Sequence, residues 1–258
     1  MAFIKIEGLT KQFGGLTAVN DVDFEIEKGK ITAIIGPNGA GKSTFFNLIS
    51  GFHRPTSGSI IFEGIDITKT PVHIGAKLGI ARTFQTTHLF EQSSVIDNVI
   101  VGHRLRTKSN LFDAVFRTRR EKQEEQEAYD RAIEALDFVG LLDLVNRQVA
   151  AISQESKKRV AIALALATDP KVMFLDEPAA GINPDETDNL AELMKKIAQS
   201  GITVCTIEHK MQMIMGLADT IMVLNHGAKI AEGTPEEIKN NPIVIEAYLG
   251  GDALAEVN

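Results

Sequence analysis

Tryptophan is missing altogether from this chain, and 258 residues hold only two tyrosines and one cysteine. The lone Cys205 cannot close an internal disulfide, which excludes a small disulfide-stapled fold and is compatible with a reducing compartment. Basic residues are outnumbered, 27 Lys and Arg against 34 Asp and Glu, for a formal charge of −7. That balance argues against a general nucleic-acid binder, whose domain is ordinarily basic, so no nucleic-acid partner is expected. No apolar run approaches the roughly eighteen residues of a membrane span. Met1 to Ile6 alternates like a strand and lacks signal-peptide form. Work at a membrane would then be that of a peripheral, cytoplasmic partner. Internal repeats and low-complexity tracts are missing too. What remains suits a folded protein of one large α/β domain or two small ones, with 44% hydrophobic residues to build a core.

One stretch organises the rest: Gly36-Pro37-Asn38-Gly39-Ala40-Gly41-Lys42-Ser43-Thr44. Upstream, Ile31-Thr32-Ala33-Ile34-Ile35 is a short β-branched run that reads as a strand buried on both faces of a parallel sheet. Downstream, Thr44 to Ile49 reads as a helix. A strand, a G-x-x-x-x-G-K-[ST] turn and a helix make a phosphate-binding loop for nucleoside triphosphates. Glycines at 36, 39 and 41 let backbone N–H groups curl inward, and the helix N-terminus adds its partial positive charge. Lys42 is expected to reach the β- and γ-phosphates, and the Ser43 hydroxyl to ligate Mg²⁺.

Phe3 to Glu7 and Val22 to Glu27 alternate as half-exposed antiparallel strands do, and with Ser59 to Gly64 they predict a small sheet over the nucleotide site. Between the first two, Phe13 has two open readings: a ring stacked on a purine, or a turn aromatic packed on the sheet. Gly79 to Gln85 reads as a strand ending in a polar residue. His103 to about Gly140 reads as helical, with Tyr129, Ile133, Leu136 and Val139 as its buried face. The cluster His103, Arg104, Arg106 and Lys108 suits lipid headgroups, a partner or a plain solvated surface. Val172 to Leu175 and Ile202 to Ile207 are further buried strands separated by an amphipathic helix, Asp185 to Gln199. Asn225-His226-Gly227 is a hairpin turn, and two short helices, Pro235 to Asn240 and Pro242 to Leu249, follow it.

The second half of the chemistry lies at the end of a strand. Asp176-Glu177 closes a four-residue apolar run more than a hundred residues after the phosphate loop, where Asp176 is placed to hold Mg²⁺ through water and Glu177 to polarise the attacking water. His209 follows the strand ending at Ile207 and should emerge on the same sheet edge, within reach of the γ-phosphate. Gln85 also ends a strand and has the side chain to contact Mg²⁺ and the lytic water. The other five histidines read as solvated, and Cys205 as a small core residue.

In this order the residues resemble, over nearly the whole chain, the ATP-binding subunit of ABC transporters. The resemblance rests on Phe13 at the base-stacking position, the loop Gly36 to Thr44, Gln85 in the glutamine loop, the strand Val172 to Glu177, the turn Ala180-Gly181-Ile182-Asn183 and His209 as the switch histidine. It implies an α/β cassette spanning residues 1–258: a mostly parallel core sheet, an N-terminal antiparallel β subdomain and a helical subdomain near residues 86–160. It implies ATP and Mg²⁺ as ligands, transmembrane permease subunits as partners and a seat at the inner face of the cell membrane. A second ATP-binding subunit would pair head to tail. Arg82-Thr83-Phe84-Gln85, Ala179 to Pro184, Gly233 to Ile238 and Ala247-Tyr248-Leu249-Gly250 are similar to the branch serving importers of branched-chain amino acids, with urea or short-amide importers as the alternative. A soluble member acting on ribosomes or DNA would carry fused cassettes or a long coiled-coil insertion, and neither is here.

One segment departs from the family. The Leu-Ser-Gly-Gly-Gln signature falls on Ile152-Ser153-Gln154-Glu155-Ser156, which keeps only the apolar residue and Ser153. In the head-to-tail pair this segment faces the γ-phosphate held by the other subunit, so a carboxylate at Glu155 is expected to repel it, by up to about 4 kcal/mol at about 4 Å and an effective dielectric of about 20. Leu164 also stands where the family has arginine. These departures predict an asymmetric hetero-pair, with a homodimer or a weakly hydrolysing ATP switch as alternatives.

Overall fold

The computed structural model describes residues 2–83, 89–103, 113 and 118–255. Its centre is a six-stranded sheet built on β3 (Ile31–Ile35), β6 (Ile80–Arg82), β7 (Val172–Asp176), β8 (Thr203–Ile207), β9 (Thr220–Asn225) and β10 (Ala228–Gly233), in the order β10-β9-β3-β8-β7-β6. Pairing is parallel throughout except at the β10 edge, whose hairpin with β9 makes it antiparallel. All five residues of β3, β7 and β8 are buried, as strands covered on both faces must be. Alternate residues serve different cores: Met173 and Leu175 face one, Val172 and Phe174 the other.

A second, antiparallel sheet joins β1 (Ile4–Phe13), β2 (Leu16–Ile26), β4 (Ser57–Phe62) and the short β5 (Ile65–Asp66) in the order β2-β1-β4-β5. Its inner residues Ile4, Ile6, Leu9, Phe24, Ile60 and Phe62 close with α1 (Lys42–Ile49) over the same core as Phe174. The fold class is thus the expected one. Strand β1 runs through Phe13, which places that ring in the sheet and leaves Gly14-Gly15 as the turn.

Helices cover the other face. After the short α2 (Val72–Leu78), α3 (Val95–His103), α4 (Arg119–Phe138) and α5 (Gln154–Leu166) pack with α6 (Pro184–Gln199) around one apolar cluster. A third cluster lies under α7 (Met211–Leu217), α8 (Pro235–Lys239) and α9 (Pro242–Ala255), the last of these longer than its sequence suggested. The expected buried face of α4 needs correction. Tyr129 is exposed and Ile133 only half-buried, whereas Ala128, Ala132, Ala135 and Leu136 are buried. Alanine at three- and four-residue spacing lets α4 approach α3 and α5 closely, and counting only large apolar residues misses that stripe. Arg104, Arg106 and Lys108 lie outside the described residues, as does Gln85. His103 ends α3 half-buried. Among the described residues no helix is long and apolar enough to cross a membrane.

Candidate nucleotide site

Gly36 to Thr44 links β3 to α1, and its glycines are demanded by crowding as well as by torsion. A Cβ on Gly36 would lie 2.1 Å from the Leu224 carbonyl oxygen, and one on Gly41 would lie 2.3 Å from that of Ala18. Gly41, at φ 97°, is the N-cap of α1 and brings no side chain to the first turn, which also holds no acidic residue. The first-turn amides are therefore left for an anion. The β9–β10 turn backs the loop: Gly227 N–H donates to Ala40 O at 3.0 Å, and Gly227 O accepts from Asn20 N–H at 2.8 Å.

A cleft of about 530 Å³ opens above the loop, lined by Asn38 to Thr44, Leu16 to Ala18, Glu177, His209, His226 and Gly227. The Lys42 ammonium is buried between the carbonyls of Gly36 and Pro37, at 2.7 and 2.9 Å. Burial lowers its pKa from the usual lysine range, and the Glu177 charge opposes that. Glu177 sits just beyond β7 in left-handed backbone at φ 47°, a conformation rare outside glycine. Its Oε1 is 3.0 Å from His209 Nε2. The expected acid and histidine, which the chain separates by 32 residues, therefore meet at one rim.

Asp176 ends β7 with its side chain 11% exposed and ion-paired at 2.7 Å to Arg82. Among the described residues no group of three or more His, Cys, Asp or Glu can hold a metal ion. The donors expected for Mg²⁺, the Ser43 hydroxyl and the Asp176 carboxylate, are hard oxygens too few to fill an octahedral shell. They fit an ion that takes its remaining ligands from phosphate and water.

Two expected members stand apart. Phe13 is not among the cleft-lining residues: its ring is 45% exposed, edge-on to His53 at 5.7 Å and 4.9 Å from the Lys11 ammonium. It pairs across the hairpin with Leu16, which does line the cleft. Ser153 caps α5, accepting from Ser156 N–H at 3.1 Å, away from this chain's own cleft. Glu155 corrects an expectation. Its carboxylate is part-buried and bound at 2.6 Å by Arg159 one turn along, while Arg159 also donates to the Val139 carbonyl. The charge expected to act on a neighbouring nucleotide is thus paired inside its own helix.

Three features were not anticipated. Arg82 drew notice only as part of a branch motif, and the His226-Gly227 turn only as a hairpin. Glu208 is 3% exposed and accepts from Ala179 N–H at 2.6 Å and His209 N–H at 3.2 Å, tying the turn after Glu177 to the histidine. Burial raises its pKa, against the pull of these amides. A signal was present: an acid directly after a buried strand with no charged residue resembles the pattern that singled out Asp176-Glu177.

The loop, Glu177 and the histidine line one cleft, with Asp176 next in the chain but not among its lining residues, and comparison with known families decides the class. The family model described as "ABC transporter" matches residues 19–180. The chain belongs to that family. A second model, "Branched-chain amino acid ATP-binding cassette transporter", matches residues 228–253 of the cassette. Relatives include the high-affinity branched-chain amino acid transport ATP-binding proteins BraF of Pseudomonas aeruginosa, 41% identical over 96% of this chain and 97% of its own, and LivG of Escherichia coli, 42% identical over the same shares. Among solved structures, the ADP conformation of MJ1267, an ATP-binding cassette of an ABC transporter, superposes with a TM-score of 0.85 at 32% identity, covering 97% of this cassette and 99% of that one. The dimeric structure of MJ0796, a bacterial ABC transporter cassette, superposes at 0.76 with 25% identity over 90% and 98%.

Proposed function

We propose that this cassette is the ATP-hydrolysing subunit of a membrane importer for branched-chain amino acids. The observation that carries the reading is the meeting of Glu177 and His209, 3.0 Å apart, at the rim of a cleft floored by the Gly36–Thr44 loop. The solute assignment rests on the BraF and LivG relatives and on the terminal segment matched at 228–253.

Loop amides and Lys42 bind the β- and γ-phosphates, and the lysine exchanges its loop carbonyls for phosphate oxygens. Ser43 and Asp176 would hold Mg²⁺, which when bound would supply charge neutralisation at the phosphates. Glu177 accepts the proton of the attacking water, and His209, with Nε2 3.0 Å from Glu177 Oε1, fixes that carboxylate beside the γ-phosphate. Phe13 would contact the adenine beside Leu16, and Gln85 would help hold the cation and the attacking water. Ser153 serves the nucleotide of a second ATP-binding subunit, and permease subunits at the inner face of the cell membrane receive the motion. Helices near residues 86–160 form the part that meets them.

Glu177→Gln tests the chemistry: hydrolysis should fall by about 10²-fold or more with ATP affinity kept. A variant hydrolysing at the parent rate removes Glu177 from the role of base. Reconstituted uptake of leucine, isoleucine and valine against urea checks the solute.

A further inference from the structure

Arg82 makes several directed contacts at the end of the strand beside β7. Its side chain is 7% exposed at the end of β6. Nη2 donates to Asp176 Oδ2 at 2.7 Å, and Nη1 donates to both Asn47 Oδ1 and Ser50 Oγ at 2.7 Å. The guanidinium carbon lies 5.3 Å from the Phe46 ring centroid and 4.9 Å from that of Phe52. Asn47 lies in the helix that opens with Lys42 and Ser43 and Ser50 is its C-cap, whereas Asp176 closes β7. A planar fork packed against two rings and anchored on α1 and its C-cap has little freedom, so it dictates where the Asp176 carboxylate points. The contact engages Oδ2 of the carboxylate.

Resting on the reading that Asp176 serves Mg²⁺, we propose that Arg82 is a positioning residue that orients Asp176 from the phosphate-loop helix, so that cation affinity depends on it while metal-free nucleotide affinity does not. Lysine keeps the charge but cannot reach one carboxylate and the Asn47 and Ser50 oxygens in a plane. Groups that orient metal ligands are commonly worth about 10–100-fold in metal affinity.

The test uses the full chain with Mn²⁺ as probe, titrated by electron paramagnetic resonance in the presence of ATP, and ATP titrated separately in EDTA. Arg82→Lys should weaken Mn²⁺ binding about 10-fold or more and leave ATP binding in EDTA within about 2-fold. Asn47→Ala, which removes one anchor and no charge, should weaken Mn²⁺ by a smaller factor in the same direction. Equal loss of Mn²⁺ and ATP binding in both variants would overturn the proposal, because Arg82 would then only support the fold. Unchanged Mn²⁺ binding in Arg82→Lys, with a clear loss in Asp176→Asn, overturns the role of Arg82 and spares the site reading. Unchanged Mn²⁺ binding in Asp176→Asn removes Asp176 from the metal site, and the proposal falls with it.

Discussion

At Gly36 the site has no room for even a methyl group: the nearest atom is a backbone carbonyl of β9, which cannot swing aside as a side chain would. Gly39, at φ 78°, has nothing within 4 Å of its missing Cβ, so substitution there meets torsional strain alone. Gly36→Ala should therefore cost about 1–3 kcal/mol or more and abolish measurable ATP binding. Gly39→Ala should cost about 1–2 kcal/mol and weaken binding without abolishing it. Denaturant titration and calorimetry on the pair read this ranking. Glu208 supplies a pH signature. Burial raises its folded pKa above the unfolded carboxylate value of 4.5, so the folded state binds the proton more tightly. Its contribution is fully present below the unfolded pKa and is lost as pH rises through the folded pKa. Glu208→Gln, which cannot ionise, should gain stability relative to the parent between about pH 5 and about pH 8, as urea midpoints at the two pH values would show. A flat difference would mean that the amides of Ala179 and His209 fully offset the burial.

Among the elements, α4 carries a clear consequence of its alanine stripe. Ala132 is fully buried within the cluster shared with α3, α5 and α6. Ala132→Leu forces three extra carbons into a closed seam and should destabilise by about 1–3 kcal/mol, whereas the same change at a solvated position of the helix, Glu127→Leu, should fall within about 0.5 kcal/mol. Equal effects in chemical denaturation would return the burial to Tyr129 and Ile133. The start of α5 shows the opposite limit of pattern reading. Glu155 looks like an unpaired charge in a signature segment, yet an arginine four residues later neutralises it, as acid-before-base spacing on a helix permits. What distinguishes that segment is then the loss of its two glycines, replaced by Gln154 and Glu155, rather than net charge.

For the whole molecule the question is how two cassettes divide the work. This chain holds its own loop, acid and histidine around one cleft, and a signature helix that starts elsewhere, at Ser153. ATPase activity of the purified chain alone should remain low and rise about 10-fold or more on mixing with a second ATP-binding subunit bearing an intact signature. Steady-state phosphate release measures both, and a lone chain as active as the mixture would remove the asymmetry. Much of this architecture was legible beforehand because its signals are local: a glycine turn between a buried strand and a helix, an acid pair closing an apolar run, a turn at Asn225-His226-Gly227. Arg82 was not legible as a partner of Asp176, since the two are 94 residues apart and neither side chain reveals the other.

The residues alone determined the backbone-dependent parts: glycines where the chain must curl, β-branched runs where it must be covered on both faces, and acids at the strand end. Those outcomes follow from torsional freedom and burial, which act within a few residues. Only the tertiary structure decided which carbonyl crowds Gly36, which helix anchors the arginine beside Asp176, that Glu208 straps the histidine turn, and that Glu155 is already paired. Each of these is a contact at van der Waals or hydrogen-bond range, and strand order and helix packing set it, not sequence spacing.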